Sequence, residues 1–387
     1  MYYSRALPTG TGIEDMQGGM MNIGIPKEHR PFEFRVGLSP AGVEILTQNG
    51  HTCYVEHEAG VGAGFSDHDY EKAGARIVYS PEEAFGRADL VLKVARPLKE
   101  EIEWLRPRTT IAGLLHLPSA RQDKIDLLLE KEITAIAYEQ IQLPDGRMPV
   151  KEPLARIGGR MTAQIAATLL QNNHGGKGIL LGGLPGVPPA EVVIIGAGVS
   201  GTCAAEAFLG FGAHVTVLDK YLEPLDRLAT RCPHAVTMIA TPANIARTCA
   251  YADVVVGAVL VPGERAPIVI TREVVANMKP RSLIIDLSID QGGCCETSRP
   301  TNHEHPTYVE EGVIHYCVPN VPSAVARTSV HAFVNAAMPY ILQIASLGTE
   351  AAIEQIPAIE IAVNTHAGKL RHLSLRRPNT GDDDGLE

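Results

Sequence analysis

The sequence predicts an α/β protein of two doubly wound domains. Three observations predict it. Short β-branched apolar runs alternate with segments of helical period, the mark of a parallel sheet. Capping residues and glycines bracket the helical segments. One strand–helix pair has the glycine spacing G-x-G-x-x-G at its turn. In the first third, strands are expected at Asn22–Ile25, His51–Glu56, Ala88–Val94, Thr109–Leu115 and Ile133–Tyr138. A helix falls between the first two. Ser39 can cap it, Pro40 suits its first position, and Gly50 can end it.

A second unit begins near Lys151. Pro153 opens a helix expected to end near His174, before a glycine- and proline-rich passage from Gly175 to Pro189. A strand follows at Val192–Ile195, a helix at Ser200–Phe211 and a strand at His214–Leu218. Further strands are expected at Val254–Val259 and Leu283–Leu287. Helical period returns from Pro322 to Leu347, with a kink expected at Pro339. This order makes residues 151–327 a domain inserted into another, formed by 21–150 and 328–375. Residues 1–20 are expected to be a flexible leader, and the acidic end, 376–387, a disordered tail.

Composition excludes several classes. The chain has 387 residues, is 45 % apolar and carries a net charge of −10. An acidic surface argues against nucleic acid or an anionic membrane as main partner. The seven cysteines, at 53, 203, 232, 249, 294, 295 and 317, include no C-x-x-C pair. Reduced, buried thiols in a cytoplasmic protein are expected, with no metal site. No apolar run approaches the roughly 18 to 20 residues that span a bilayer, so no membrane insertion is expected.

The run Val192–Ile195 leads directly into Gly196-Ala197-Gly198-Val199-Ser200-Gly201 and then an alanine-rich helix. Gly196 permits the tight turn, Gly198 lets backbone approach a pyrophosphate, and Gly201 lets helix and strand pack closely. The helix start adds N–H groups and a positive dipole end for phosphate. Asp219 ends the next strand, 18 residues past Gly201, near the ~20 expected of the acid that binds ribose hydroxyls. A carboxylate there repels a 2′-phosphate, so the cofactor expected of this Rossmann-like domain is NAD.

Ligands of open α/β sheets bind beyond the carboxyl ends of strands. That rule selects Arg35 after the first strand, His116 after Thr109–Leu115, and Asp290 after Leu283–Leu287. An arginine can clasp a carboxylate, a histidine can move protons near neutrality, and an aspartate can orient water or an amine. Two domains presenting strand ends to each other would gather these groups in one cleft. Each residue has a plainer reading as a satisfied structural group. Lys93, within Leu92-Lys93-Val94, reads as a solvent contact at a strand end.

From Met21 to Ala367 the chain resembles the alanine dehydrogenase family, which includes the NAD-binding subunit of proton-translocating transhydrogenase. The matching stretches are Glu33-Phe34-Arg35-Val36, Leu115-His116-Leu117, Gly175-Gly176-Lys177-Gly178 through Pro185-Gly186-Val187, Val192–Gly201, Gly257–Gly263 and Ile289–Cys294. The resemblance implies a dehydrogenase that deaminates L-alanine to pyruvate and ammonia with NAD⁺, or the reverse. It implies that Arg35 holds the substrate carboxylate, His116 acts as acid or base, and Asp290 positions water or ammonia. It further implies cofactor contacts from Val199, Ser200, Val259, Leu260, Arg299 and Asn320. Small-molecule partners and a homo-oligomer, a hexamer, follow from the same likeness.

Three departures from the family pattern stand out. The family reads K-V-K-E-P at a strand end where this chain has Lys93-Val94-Ala95-Arg96-Pro97. Its second lysine, a substrate contact, is Ala95 here. Arg96 is the neighbouring cation assigned to substrate binding, although its side chain starts on the other face. Ala155 replaces a serine that touches the cofactor, and Val321 a methionine commonly beside the nicotinamide. Losing a charged carboxylate contact costs about 1.5 to 3 kcal/mol. The alternatives therefore left open are a related dehydrogenase of another 2-oxo acid, amino acid or imine, a transhydrogenase-like NAD-binding subunit, and a catalytically inactive NAD sensor.

Overall fold

The computed structural model describes residues 19–261 and 265–373. The tail, nearly all of the leader, and Pro262-Gly263 lie outside these. The chain forms two compact units: one from residues up to Lys151 and from Val330 onward, the other from Glu152 to Ser329.

The first unit holds, in chain order, β1 (Asn22–Ile25), α1 (Pro40–Gln48), β2 (Thr52–Glu56), α2 (Asp67–Lys72), β3 (Arg76–Val78), α3 (Pro81–Gly86), β4 (Leu90–Leu92), α4 (Lys99–Trp104), β5 (Thr110–Gly113), α5 (Gln122–Glu130) and β6 (Thr134–Ala137). The second holds α6 (Glu152–Leu169), β7 (Glu191–Ile195), α7 (Val199–Gly210), β8 (His214–Asp219), α8 (Leu222–Arg231), β9 (Val236–Ile239), α9 (Pro242–Tyr251), β10 (Val254–Gly257), α10 (Arg272–Ala276), β11 (Leu283–Asp286), β12 (Thr307–Glu310) and β13 (Val313–Tyr316). Helix α11 (Ala326–Leu347) begins in the second unit and ends in the first. The first unit then closes with α12 (Thr349–Gln355), α13 (Pro357–Glu360), β14 (Val363–His366) and β15 (Lys369–Leu370).

Each unit is built on its own sheet. In the first the order is β15-β14-β6-β5-β4-β1-β2-β3, and in the second β12-β13-β11-β10-β7-β8-β9. Strands β1 to β6 are mutually parallel, as are β7 to β11 and β13. Within the two sheets, among the described residues, strands β14, β15 and β12 pair antiparallel. Strands β4, β5, β6 and β10 are buried throughout, which is why they read as apolar runs without alternation. In each sheet the strand order reverses once, between β1 and β4 and between β7 and β10. Such a switch point opens a crevice beyond the strand ends.

Local signals act as expected at α1. The Ser39 hydroxyl accepts from Gly42 N at 3.3 Å, Pro40 opens the helix, and Gly50 adopts φ +87° after its end. The helix opened near Pro153 is shorter than expected. It stops at Leu169, Gln171 turns extended, and Asn172–His174 forms a separate 3-10 turn. The amides of Gly176 and Gly178 return to the carbonyls of Gln171 and Leu170 and close the helix end. Helix α11 runs through Pro339 without interruption. Contrary to expectation, one stretch, Val321–Leu347, has the length and mean hydropathy (1.3) of a bilayer-crossing segment. Within it Val330, Phe333, Val334, Ala337, Ile341 and Ile344 are buried, the spacing of a core-facing stripe.

Helix α6 packs on α7 through small residues. Gly158, Gly159, Thr162, Ala163 and Ala166 are all buried. A Cβ on Gly159 would lie 2.2 Å from Ser200 O and 3.0 Å from Cys203 Cβ. Alanine at this position should raise helix propensity by about 1 kcal/mol, yet overpacking should prevail. Gly159→Ala is expected to destabilise by about 1 to 3 kcal/mol, read as a lower urea midpoint. A midpoint equal to or above that of the wild type would refute the packing argument.

All seven cysteines are buried and unpaired with one another. Strand β14 went unpredicted because Asn364, Thr365 and His366 are polar, yet all three are buried. Hydrogen bonds allow it. Thr365 Oγ1 donates to Ile133 O at 2.8 Å, His366 Nδ1 meets Thr134 Oγ1 at 3.0 Å, and Asn364 Nδ2 donates to Gln140 Oε1 at 2.7 Å.

Candidate active-site residues in the two units

The glycine turn of the second unit lies at its switch point. Gly196 has φ +108°, and a Cβ there would sit 2.3 Å from Ala258 O, just beyond β10. A Cβ on Gly201 would sit 1.8 Å from Gly196 O. The protein's own packing therefore demands both glycines. Gly198 differs: among the described residues a Cβ there meets nothing within 4 Å. Space beside that backbone is what an approaching pyrophosphate needs. Gly198 is also the N-cap of α7 and supplies no side-chain cap, so the first-turn N–H groups of Val199, Ser200 and Gly201 suit an anion.

Asp219 closes the other side of this turn. Its Oδ2 accepts from Ala197 N at 2.8 Å, and its Oδ1 from Tyr221 N at 2.9 Å. The strand end and the glycine loop are thereby tied by one carboxylate. Lys220 turns away toward the Tyr221 ring, 4.6 Å from its centroid. These residues fit a dinucleotide.

The loops after β10 and β11 are linked by Ser288. Its hydroxyl donates to Val259 O at 2.8 Å and accepts from Val259 N at 3.0 Å, which fixes Val259 and the exposed Leu260 after it. Buried Asp286 shapes the next loop, accepting from Ser288 N and Cys294 N, each at 2.9 Å. That loop carries Asp290 on a 3-10 turn, Ile289–Gln291. Asp290 Oδ1 accepts from Asn320 N at 3.2 Å, and Asn320 has φ +55°. Asp290, Asn320 and the buried Val321 are thus brought together. Arg299 lies beside Tyr308. Its N–H donates to Tyr308 OH at 2.9 Å and its guanidinium covers the Tyr308 ring at 4.1 Å. Tyr308 lies on β12, an edge strand, with β13, β11, β10 and β7 between it and the strand of Asp219. Ala155 lies in the first turns of α6, half-buried, beside Arg156, which pairs with Glu152.

In the first unit the candidates cluster beyond β1, β4, β5 and β6. Arg35 is 4 % exposed. Its Nε and Nη2 donate to the two oxygens of Glu33 at 2.7 and 2.5 Å, and Arg35 N donates to the same carboxylate. One edge of the guanidinium is thus occupied by Glu33, a partner that strand-end reasoning missed. His116 follows β5 with φ +43°. Leu115 N and His116 N donate to the buried Glu139 carboxylate at 3.1 and 2.6 Å, and His116 Nδ1 lies 3.8 Å from Glu139 Oε1. Glu139 was likewise missed. It follows β6, and only strand pairing sets it beside His116.

Arg96 does not stay on its own face. Its Nη1 donates to Ser119 Oγ at 3.1 Å and to His116 O at 3.4 Å, so the structure brings Arg96 to the His116 loop. The reading of Lys93 as a solvent contact is wrong. Lys93 is 1 % exposed, and its ammonium lies between Glu101 Oε1 at 2.8 Å and Glu28 Oε2 at 3.0 Å. Burial works to lower its pKa, but the two carboxylates outweigh that and hold it above the usual lysine value. For Glu28, burial dominates and pushes the carboxyl upward.

Two family models match this chain: the alanine dehydrogenase/PNT N-terminal domain over residues 24–158 and the C-terminal domain over 162–373. The chain belongs to the alanine dehydrogenase/PNT family. Members at similar length share much of its sequence. It is 45 % identical over 355 residues to an alanine dehydrogenase of Methanococcus maripaludis, covering 91 % of this chain and 95 % of that protein. It is 43 % identical over 351 residues to one of Mycobacterium tuberculosis, covering 90 % and 94 %. Among solved structures, an L-alanine dehydrogenase superposes with TM-score 0.88 at 43 % identity, over 91 % of this chain and 97 % of that one. A transhydrogenase from Sinorhizobium meliloti does so with TM-score 0.78 at 26 % identity, over 91 % and 99 %. The family is one of nicotinamide dinucleotide oxidoreductases, and the chain is an enzyme of that kind.

Proposed function

We propose that the protein catalyses the NAD-dependent oxidative deamination of L-alanine to pyruvate and ammonia, and its reversal. One observation carries this reading: alanine dehydrogenases share 43 to 45 % of its residues over nine-tenths of the chain. The placement of Arg35, His116 and Asp290 at strand ends supports it. When bound, NAD⁺ accepts the hydride from the substrate α-carbon; Asp219 favours it over NADP⁺.

The chain's own residues do the rest. Arg35, with one edge held by Glu33, offers its Nη1 side to the substrate carboxylate, and Arg96 adds a second cation. His116 hydrogen-bonds the substrate oxygen and takes or returns the proton as water adds to the imine and ammonia leaves. Asp290, anchored through Asn320, orients that water or ammonia. Val199, Ser200, Val259, Leu260, Arg299, Asn320 and Val321 contact the cofactor in this reading. The enzyme works as a homohexamer in the cytoplasm, with small molecules as its partners.

The deciding assay is NADH oxidation with ammonium and a series of 2-oxo acids. Pyruvate is expected to be the fastest substrate, and NADPH to be a poor reductant. Bulkier oxo acids reacting faster than pyruvate would favour the second reading, a related dehydrogenase of another oxo acid. Ala95 and Val321 are the residues that motivate it.

A further inference from the structure

We propose that the buried Glu28–Lys93–Glu101 cluster is a positioning device that holds the loop 94–98 so that Arg96 is presented to the substrate. The inference rests on the reading above that the first unit binds the substrate carboxylate. Lys93 is a positioning residue; it acts through the loop.

The three side chains are 1 to 2 % exposed and come from three places: the segment after β1, the residue that follows β4, and α4. One ammonium joins the two carboxylates, and the carboxylates spend their remaining capacity on backbone. Glu28 Oε1 accepts from Val94 N at 2.6 Å and from Ala95 N at 3.3 Å. Glu101 Oε2 accepts from Leu98 N at 2.7 Å. These N–H groups bracket Arg96 on both sides, and Arg30 Nε donates to Arg96 O at 2.9 Å. The loop is therefore pinned before, at and after the residue whose guanidinium reaches Ser119 and the His116 carbonyl.

The backbone of Lys93 has little room to move. A Cβ on Gly37 would stand 3.0 Å from Lys93 N, and one on Gly113 would stand 2.7 Å from Lys93 O. The cluster also occupies the reversal of strand order between β1 and β4, where a ligand crevice is expected. Stability alone does not account for it. A buried ion cluster is commonly no better than well-packed apolar side chains. Held amides flanking a candidate substrate cation are what these charges provide that apolar groups could not. Because Ala95 lacks a charge, Arg96 is the one cation in 94–98, and its placement has no neighbour to compensate for an error.

The test is a mutant cycle on the full chain. Lys93→Met should raise KM for pyruvate on the order of tenfold, with KM for NADH unchanged. Arg96→Ala should do the same. In the Arg96→Ala background, Lys93→Met should add nothing further to KM. Independent, multiplying effects would overturn the proposal, as would an unchanged KM in Lys93→Met. Should Lys93→Met fail to fold, Glu101→Gln replaces it in the cycle with the same expectations, since it removes one charge and keeps an acceptor for Leu98 N. Hydrogen exchange separates this proposal from the functional reading. The amides of Val94, Ala95, Arg96 and Leu98 should exchange faster in the Lys93 or Glu101 variant, and unchanged protection would overturn the positioning role. A wild type inactive on every oxo acid would sink the functional reading, and the exchange measurement would still decide this one.

Discussion

Replacing His116 by alanine is expected to remove most turnover while leaving NADH affinity nearly intact. A positioned general acid or base contributes about a hundred- to ten-thousand-fold, and the loss should fall in that range for both directions of the reaction. The structure shows why the effect should be confined to chemistry. His116 lies in the first unit, after β5, and its side chain is 57 % exposed, so little packing is lost with the ring. Its backbone is held through the amides of Leu115 and His116 by Glu139, which the substitution leaves in place. The glycine turn and Asp219 belong to the second unit. Fluorescence titration with NADH, paired with steady-state rates, is the measurement. Wild-type turnover in the variant would remove His116 from the mechanism.

The second large effect concerns Gly198. Gly198→Val should fold with wild-type stability and lose NADH affinity on the order of tenfold or more, because the branched side chain enters space where no atom of the described residues lies within 4 Å of a Cβ. Gly201→Val should behave differently. Its Cβ would collide with Gly196 O at 1.8 Å, so stability falls together with binding. Two glycines of one motif thus separate under one pair of measurements, thermal unfolding and NADH titration. Unaltered NADH binding in a folded Gly198→Val protein would show that the dinucleotide does not pass this turn.

Much of the nucleotide side was legible because its signals are local. Strand, turn and helix are contiguous, the glycine spacing is short, and Asp219 ends the adjacent strand. The proposed substrate side was legible only in part. The strand-end rule selects Arg35 and His116 as candidates, but it does not reach their carboxylates: Glu139 reaches His116 from beyond the next strand, and Glu33 reaches Arg35 within a loop that has no periodicity. Lys93 was misread for the same reason. A lone lysine beside apolar residues looks solvated until Glu28 and Glu101 arrive from sequence positions 65 and 8 residues away. Strand β14 escaped because its buried residues are polar and satisfied by distant partners.

Sequence alone determined the class of fold, the order of its main strands and helices, and the turn suited to a dinucleotide. Those features depend on periodicity, capping and backbone freedom, which act over a few neighbouring residues. Only the tertiary structure decided which charges are paired, which are buried, and where Arg96 points. Ion pairing and desolvation depend on distance in space, and the fold alone brings remote residues within a few ångströms.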